Sequence, residues 1–239
     1  MPLQSTATFP QSSDKNRLEE TPMYGYRLLI LTTLLGALIA TGCVSETPGI
    51  PGPPPPQMIE AECVGTVIEN TASAPTAGEA PEAPKELGAV APEWELSDEQ
   101  PLSCNHQKIY GLTQYRGTPT MVVLLWSGCG FCQSQTEMLH QMKTELAEAN
   151  MAVNFSIINR ADGASSVLNL SNRCTFPVFQ DTDEIDAWGL HQGGKDDFLF
   201  YDADGILRDF ISARGELEIN LRTEEGYANI KNAVLALVQ

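Results

Sequence analysis

Basic side chains are scarce in this chain. Its 239 residues include 14 Lys and Arg against 31 Asp and Glu, which gives a formal net charge of −17 at pH 7. Nucleic acids and anionic membrane surfaces are bound through clusters of basic side chains. The scarcity argues against both kinds of partner, and we expect no nucleic-acid partner. The acidic surface itself indicates a soluble chain that repels copies of itself.

The apolar run near the N-terminus is too short to span a bilayer comfortably. It covers residues 28–40, follows Arg27, and has the length of the h-region of a secretory signal. It ends in Ala40-Thr41-Gly42-Cys43, which resembles the lipobox of bacterial lipoproteins, although Ala40 stands where a larger aliphatic residue is more usual. We predict that residues 1–43 are a signal segment and that an acyl chain on Cys43 anchors the protein to the membrane. Cleavage with a free Cys43 and an uncleaved anchor are the alternatives.

All three alternatives carry the rest of the chain across the inner membrane, to face the periplasm or the cell exterior. Disulfides persist in those compartments. Residues 44–90 contain Gly-Ile-Pro-Gly-Pro-Pro-Pro-Pro at 49–56 and then a stretch rich in Ala, Pro, Thr and Glu. Such a composition buries too little apolar surface to offset its chain entropy. It predicts a disordered tether over 44–90 and one folded domain over 91–239.

The hydrophobic pattern of residues 91–239 alternates between strand and helix periods. A polar turn separates the segments 94–96 and 108–112, which predicts an N-terminal β-hairpin. Further strands are predicted at 120–126, 153–157, 178–179, 198–201 and 206–211, and helices at 131–149, 164–173, 184–190 and 227–237. This order predicts an α/β protein, a three-layer α/β/α sandwich with an N-terminal β-hairpin extension.

Cys129 and Cys132 form a CxxC pair between the apolar strand 120–126 and the helix that follows it. Backbone N–H groups and the dipole at a helix N-terminus favour a thiolate at the first cysteine. The second cysteine lies about one helical turn away, close enough to close a disulfide ring. The pattern predicts a redox site in which Cys129 attacks and Cys132 resolves the mixed disulfide.

A zinc site and an inert disulfide are the other interpretations of a single CxxC pair. Zinc would need two further ligands. The remaining candidates occur singly, with no second paired spacing: Cys63, Cys104, Cys174, His106, His140 and His191. We therefore predict no metal ion and no cofactor.

The CxxC pair after a central strand resembles the active site of thioredoxin-like proteins. These proteins have a cis-proline loop facing the disulfide, and Thr175-Phe176-Pro177 follows the central strand and helix at the corresponding distance. The resemblance implies that Phe176 and Pro177 bind the substrate chain as an added strand. Thioredoxins also carry a buried acid in the strand before the cysteines, but Val123 occupies that position here. Deprotonation of Cys132 would then need water or another group.

A closer resemblance, to the N-terminal domain of selenoprotein P, covers roughly residues 90–239. The matching features are Ile157-Ile158-Asn159, Pro177-Val178-Phe179-Gln180, Trp188, Lys195-Asp196-Asp197-Phe198-Leu199, Tyr201-Asp202 and Gly205. That family usually has selenocysteine at the first position of its redox motif, which corresponds to Cys129, and cysteine at the second, which corresponds to Cys132. The resemblance implies a thioredoxin-like fold and redox activity. Selenium transport is not implied, because this chain lacks the family's tail rich in selenocysteine and histidine.

The other three cysteines leave several pairings open. Cys174 could be a third redox thiol, a buried unreactive residue or a disulfide partner of Cys104. Cys63 could pair with Cys104 and attach the tether to the domain. Sequence alone does not decide between these pairings.

The predicted function is that of an extracytoplasmic thiol–disulfide oxidoreductase. Its partners would be client-protein or small-molecule disulfides and thiols, together with a separate redox partner. One alternative is a peroxiredoxin-like thiol peroxidase, although Trp126 stands where the Thr of that motif is expected. The other is a non-catalytic module that binds selenium, a metal or a partner protein.

Overall fold

A computed structural model describes residues 63–78 and 80–239. The predicted signal segment 1–43, the lipidation site Cys43 and the first part of the predicted tether lie outside the described residues. Within those two ranges, no helix has both the length and the apolar character needed to cross a bilayer.

Eight strands form one mixed sheet with the spatial order β1-β2-β6-β5-β4-β7-β8, and β3 pairs with β2. The strands are β1 (Thr76–Ala77), β2 (Trp94–Asp98), β3 (Ile109–Tyr110), β4 (Thr120–Leu125), β5 (Asn154–Asn159), β6 (Val178–Gln180), β7 (Phe198–Tyr201) and β8 (Leu207–Ile211). The helices are α1 (Gly130–Glu148), α2 (Leu168–Ser171), α3 (Ala187–Leu190) and α4 (Glu224–Ala236), with 3-10 turns at Leu112–Tyr115 and Ala161–Ser166.

The central strands β4, β5 and β6 run parallel, whereas β7 is antiparallel to β4. Every residue of β4 is buried, because both faces of the sheet are covered. On one face, Met121 and Val123 join a core that includes α1 and α4. On the other face, Val122 and Leu124 pack in a core with β2 and α3. The predicted α/β arrangement, with helices on both faces of the sheet, is therefore confirmed.

The predicted N-terminal hairpin is present, with Leu96 of β2 opposite Tyr110 of β3. In addition, β2 pairs with β6, an interaction that the sequence did not reveal. The buried Asp98 carboxylate secures this junction, since it accepts a hydrogen bond of 2.8 Å from the Tyr110 hydroxyl and one of 3.3 Å from the backbone N–H of Val178. The hairpin is therefore part of the main sheet.

The predicted disordered tether is wrong from Cys63 onward. A disulfide joins Cys63 to Cys104, and the backbone of Ala72 bonds to that of Ile109. The strand β1 pairs with β2, and a bridge links Val90 to Ile206, just before β8. Composition predicted how little apolar surface this segment buries, but the segment is held by a covalent bond and by main-chain hydrogen bonds to the sheet edges.

Candidate active site

The two cysteines of the CxxC pair lie at the junction of β4 and α1, where the sequence places them. Cys129 is the N-cap residue of α1, with extended backbone (φ −109°, ψ 119°), and its carbonyl accepts a hydrogen bond of 3.0 Å from the Gln133 N–H. Cys129 is half-buried, whereas Cys132, in the first turn, has no exposed surface. Both are free thiols. One sulfur can thus meet a substrate while the other cannot.

The thiol of Cys129 is poised for ionisation. Partial burial raises its pKa, but hydrogen bonds from the Cys132 backbone and thiol and from the Phe131 backbone, together with the Lys195 ammonium, hold the pKa below its usual value. The Nζ of Lys195 lies 3.9 Å from the Cys129 sulfur. The thiolate is the reactive form of cysteine. The site therefore favours a nucleophile at position 129.

The thiol of Cys132 is held in its protonated form. Burial raises its pKa, and the nearby Asp196 carboxylate raises it further, against the lowering effect of the Trp126 backbone. The Cys132 sulfur donates a hydrogen bond of 3.2 Å to Oδ1 of Asp196. The Nζ of Lys195 lies 3.9 Å from this sulfur as well. The two thiols thus differ in ionisation as well as in exposure.

Lys195 and Asp196 come from the loop before β7, far from the cysteines in sequence. Because β7 is antiparallel to β4, its beginning lies beside the end of β4, where the cysteine loop starts. The Asp196 N–H donates a hydrogen bond of 2.7 Å to the Leu124 carbonyl, and the Leu124 N–H donates one of 3.1 Å to the Asp197 carbonyl. These two bonds hold the charged pair against the sulfurs.

The loop around Asp196 is itself well anchored. The Asp197 carboxylate accepts hydrogen bonds from the Gly194 N–H at 2.7 Å and from the Ala213 N–H at 2.9 Å. Asp196 has a positive φ of 68°, a conformation that Asp and Asn adopt more readily than most residues. Oδ2 of Asp196 forms an ion pair with Lys195. The backbone and both carboxylate oxygens of Asp196 therefore have defined partners.

The loop on the other side of the cysteines is fixed by buried polar contacts. The Ser127 N–H donates a hydrogen bond of 2.9 Å to Oδ1 of Asn159, and the Ser127 hydroxyl donates one of 2.8 Å to the Gly163 carbonyl. The guanidinium of Arg160 lies 4.4 Å from the centre of the Trp126 ring. The cysteine pair is thus presented by a rigid turn.

Phe176 and Pro177 are not brought to the cysteines, so the geometry that the predicted substrate-binding role assumed is not present. Among the described residues there is no cis peptide bond. Phe176 has no exposed surface, and its ring packs 5.7 Å from that of Phe155. The physical reason lies in the strand order. Because β6 is parallel to β5 and β4, its beginning at Pro177 lies at the opposite end of the sheet from Cys129.

Pro177 instead lines a cavity of about 360 Å³ at that opposite end, together with Thr118 and Asn154 at the starts of β4 and β5. The segment that faces the cysteines is Lys195–Asp196. This pair was not predicted from the sequence, which indicated only the helix terminus and backbone as groups that lower the pKa of Cys129. A signal was present, since three consecutive charged residues directly precede the apolar strand β7.

The remaining candidate residues have structural surroundings. Cys174 is buried and its thiol donates to the Phe176 carbonyl at 3.5 Å; burial raises its pKa to about 12. His191, to which the sequence assigned no role, is buried between Trp94 and Tyr201, which bond to its two ring nitrogens at 3.0 Å each. In the described ranges, no three His, Cys, Asp or Glu side chains come together as a metal site requires.

The chain matches the family model described as "Selenoprotein P, N terminal region" over residues 85–213, more than half of its length. It is 29% identical to selenoprotein Pb of Danio rerio over 123 residues, which cover 49% of this chain and 43% of that protein. It is 31% identical to selenoprotein P of Bos taurus over 123 residues, which cover 48% of this chain and 28% of the relative. The match thus spans less than half of these curated relatives.

Among solved structures, the chain is similar to one from Chlorobium tepidum described as a thiol:disulfide interchange protein, DsbE. The TM-score is 0.52 at 15% identity, and the match covers 64% of this chain and 99% of that one. At this level of identity the likeness concerns the fold alone. Together with the strand order, it confirms the predicted thioredoxin-like fold.

Proposed function

This chain belongs to the family of the selenoprotein P N-terminal region, and from that premise we propose that it is a thiol–disulfide oxidoreductase that works outside the cytoplasm. The observation that carries this proposal is the asymmetry of the CxxC pair. Cys129 is accessible and its pKa is lowered, whereas Cys132 is buried and its pKa is raised. A thiol–disulfide exchange enzyme needs this division between an attacking and a resolving sulfur.

In the reducing direction, the Cys129 thiolate attacks one sulfur of a substrate disulfide. A bond forms between Cys129 and that sulfur, the substrate S–S bond breaks, and the other substrate sulfur leaves as a thiolate. Cys132 then loses its proton and attacks Cys129. The second substrate thiolate leaves, so the substrate disulfide has gained two electrons and the Cys129–Cys132 pair has lost them. The oxidised enzyme runs the same steps in reverse.

The surface around Cys129 suits a sulfur presented by another protein or by a small molecule. The sulfur is half-buried, so a substrate disulfide can reach it without a deep pocket. The neighbouring Phe131 is 39% exposed and offers an apolar contact. Lys195 lies over the Phe131 ring, with Nζ 5.7 Å from its centre, and can stabilise a leaving thiolate. Client-protein or small-molecule disulfides and thiols are the proposed substrates, with an unidentified partner restoring the redox state.

The extracytoplasmic location rests on two features. The Cys63–Cys104 disulfide is of the kind that persists in oxidising compartments. Residues 28–43 have the pattern of a secretory signal that ends in a lipobox-like sequence. We propose that Cys43 carries the acyl chain. Labelling bacteria that express the full chain with an alkyne-tagged fatty acid should label the wild type but not Cys43→Ala, and equal labelling of both would disprove lipidation at Cys43.

The oxidoreductase proposal is tested by trapping. Cys132→Ser leaves the attacking thiol in place but removes the resolving one, so mixed disulfides should accumulate and appear as additional bands on a non-reducing gel. The double variant Cys129→Ser/Cys132→Ser is the matched control and should show none. The proposal fails if the Cys132→Ser chain forms no mixed disulfides although Cys129 remains alkylatable. Consumption of hydrogen peroxide by the purified wild type would instead support the peroxidase alternative.

A further inference from the structure

The resolving thiol of this site needs a group that removes its proton. Cys132 must lose a proton before it can attack, yet it has no exposed surface. The strand that leads to the cysteines offers no acid, since Val123 is buried in the apolar core. A buried thiol without a base reacts slowly, because only the thiolate is nucleophilic.

Asp196 supplies a carboxylate at the right place. Its Oδ1 lies 3.2 Å from the Cys132 sulfur, within hydrogen-bond distance for a thiol. The residue is 4% exposed, and its position is set by the backbone bond to Leu124. The charged and titratable groups that face it are Lys195 on its own loop and the Cys132 thiol of α1. The neighbouring Asp197 faces away, toward the Gly194 and Ala213 N–H groups.

We propose that Asp196 is the general base for Cys132 in the resolving step, and that Lys195 holds its carboxylate in place. The assignment rests on the proposed oxidoreductase function and adds a catalytic residue to it. The base comes from the loop before β7, not from the strand that carries the cysteines. The pairing of β7 with β4 makes this placement possible.

The resolving step moves one proton and exchanges one S–S bond for another. With the substrate joined to Cys129, the Cys132 S–H proton moves to Oδ1 of Asp196. The resulting thiolate attacks the Cys129 sulfur, the bond between Cys129 and the substrate breaks, and the substrate leaves with the electron pair. The proton then passes from Asp196 to the leaving thiolate or to water. Lys195, whose side chain is 38% exposed, is paired with this carboxylate.

If Asp196 is a general base, its substitution should change the rate of the resolving step in the opposite direction from that expected of a purely electrostatic neighbour. The negative charge of Asp196 raises the pKa of Cys132. Replacing Asp196 by Asn therefore lowers that pKa, which by itself would speed the resolving step. If Asp196 accepts the proton, the same replacement slows the step, by about 10²-fold at the lower end of general-base effects. The sign of the rate change thus separates the two roles.

The reaction of the reduced full-length protein with 5,5′-dithiobis(2-nitrobenzoate) resolves both steps in one stopped-flow trace. The first equivalent of coloured thiolate reports attack by Cys129, and the second reports resolution by Cys132. We expect Asp196→Asn to leave the first phase no slower than wild type and to slow the second. Asn tolerates the positive φ of position 196. Asp204→Asn, in the exposed turn at the other end of β7, is the matched control.

A second variant tests the chemistry independently. Asp196→Gly also fits the positive φ and leaves room for a small carboxylate, so added formate should restore its second phase without changing its first. A second phase of Asp196→Asn as fast as wild type, or a slow second phase of Asp196→Gly that formate does not restore, would overturn the assignment. If the wild-type protein shows no first phase, the oxidoreductase function itself is refuted.

Discussion

Replacing Lys195 by glutamine is expected to raise the pKa of the Cys129 thiol, because the Lys195 ammonium lies 3.9 Å from the sulfur. Coulomb's law gives about 1 kcal/mol for unit charges at that separation in water-like surroundings. The water-like value is the appropriate one, since both side chains are partly exposed and salt screens the pair. That energy favours the thiolate form of Cys129.

The expected effect on the pKa of Cys129 is smaller than this energy implies, because the Asp196 carboxylate pairs with Lys195 and cancels part of its electrostatic effect. We therefore predict a higher pKa of the Cys129 thiol in Lys195→Gln, and a loss of up to about threefold in reactivity at neutral pH. The backbone hydrogen bonds at the start of α1 remain in the variant, so the pKa should stay below that of an ordinary cysteine.

The assay is the pH dependence of Cys129 alkylation by iodoacetamide, followed by mass spectrometry so that Cys129 is distinguished from the buried thiols. Lys231→Gln is the matched control, because Lys231 is paired with Glu145 away from the cysteines. The shift should shrink as salt is added. An unchanged or lower pKa in Lys195→Gln would refute the electrostatic role of this residue.

Three further perturbations have defined outcomes. Phe176→Ala should lower the free energy of unfolding, measured by urea titration, by about 3–5 kcal/mol, because the ring is fully buried. The KM for substrate should stay unchanged. A changed KM with unchanged stability would support a substrate-binding role for Phe176. Cys104→Ser opens the Cys63–Cys104 disulfide, with a sequence separation of 41, and should lower the free energy of unfolding by up to about 4 kcal/mol in the same titrations. An unchanged midpoint would show that this bond contributes nothing to stability. Burial lowers the pKa of His191 from 6.5 to about 3, so between these pH values the unfolded chain binds a proton that the folded chain does not. The free energy of unfolding should therefore fall as the pH drops through this window, by up to about 1.4 kcal/mol per pH unit. A slope equally steep in His191→Gln would contradict this origin.

The cysteine pair and its immediate setting could be predicted from the sequence because they depend on local pattern. An apolar run is followed directly by the CxxC pair and then by apolar residues at helical spacing. Such a run indicates a buried strand, and such a period indicates a helix. The placement of Cys129 at the N-cap and of Cys132 in the first turn follows from that order.

The surroundings of the sulfurs depend on strand order, which local pattern does not contain. The strands β6 and β7 are both short and largely apolar, so either could lie next to β4. In the structure β6 pairs with β5 and β2, while β7 pairs with β4. The loop that meets the cysteines is therefore the one before β7, and the predicted placement of Phe176 and Pro177 beside them was wrong for that reason.

The sequence by itself determined that two thiols would stand at the start of a helix, one able to attack and one able to resolve. Chain proximity and the period of apolar residues are sufficient for that result. Only the tertiary structure decided which charges surround those thiols, because Lys195 and Asp196 reach them through the antiparallel pairing of two strands distant in sequence. The ionisation of a buried group is set by such neighbours in space.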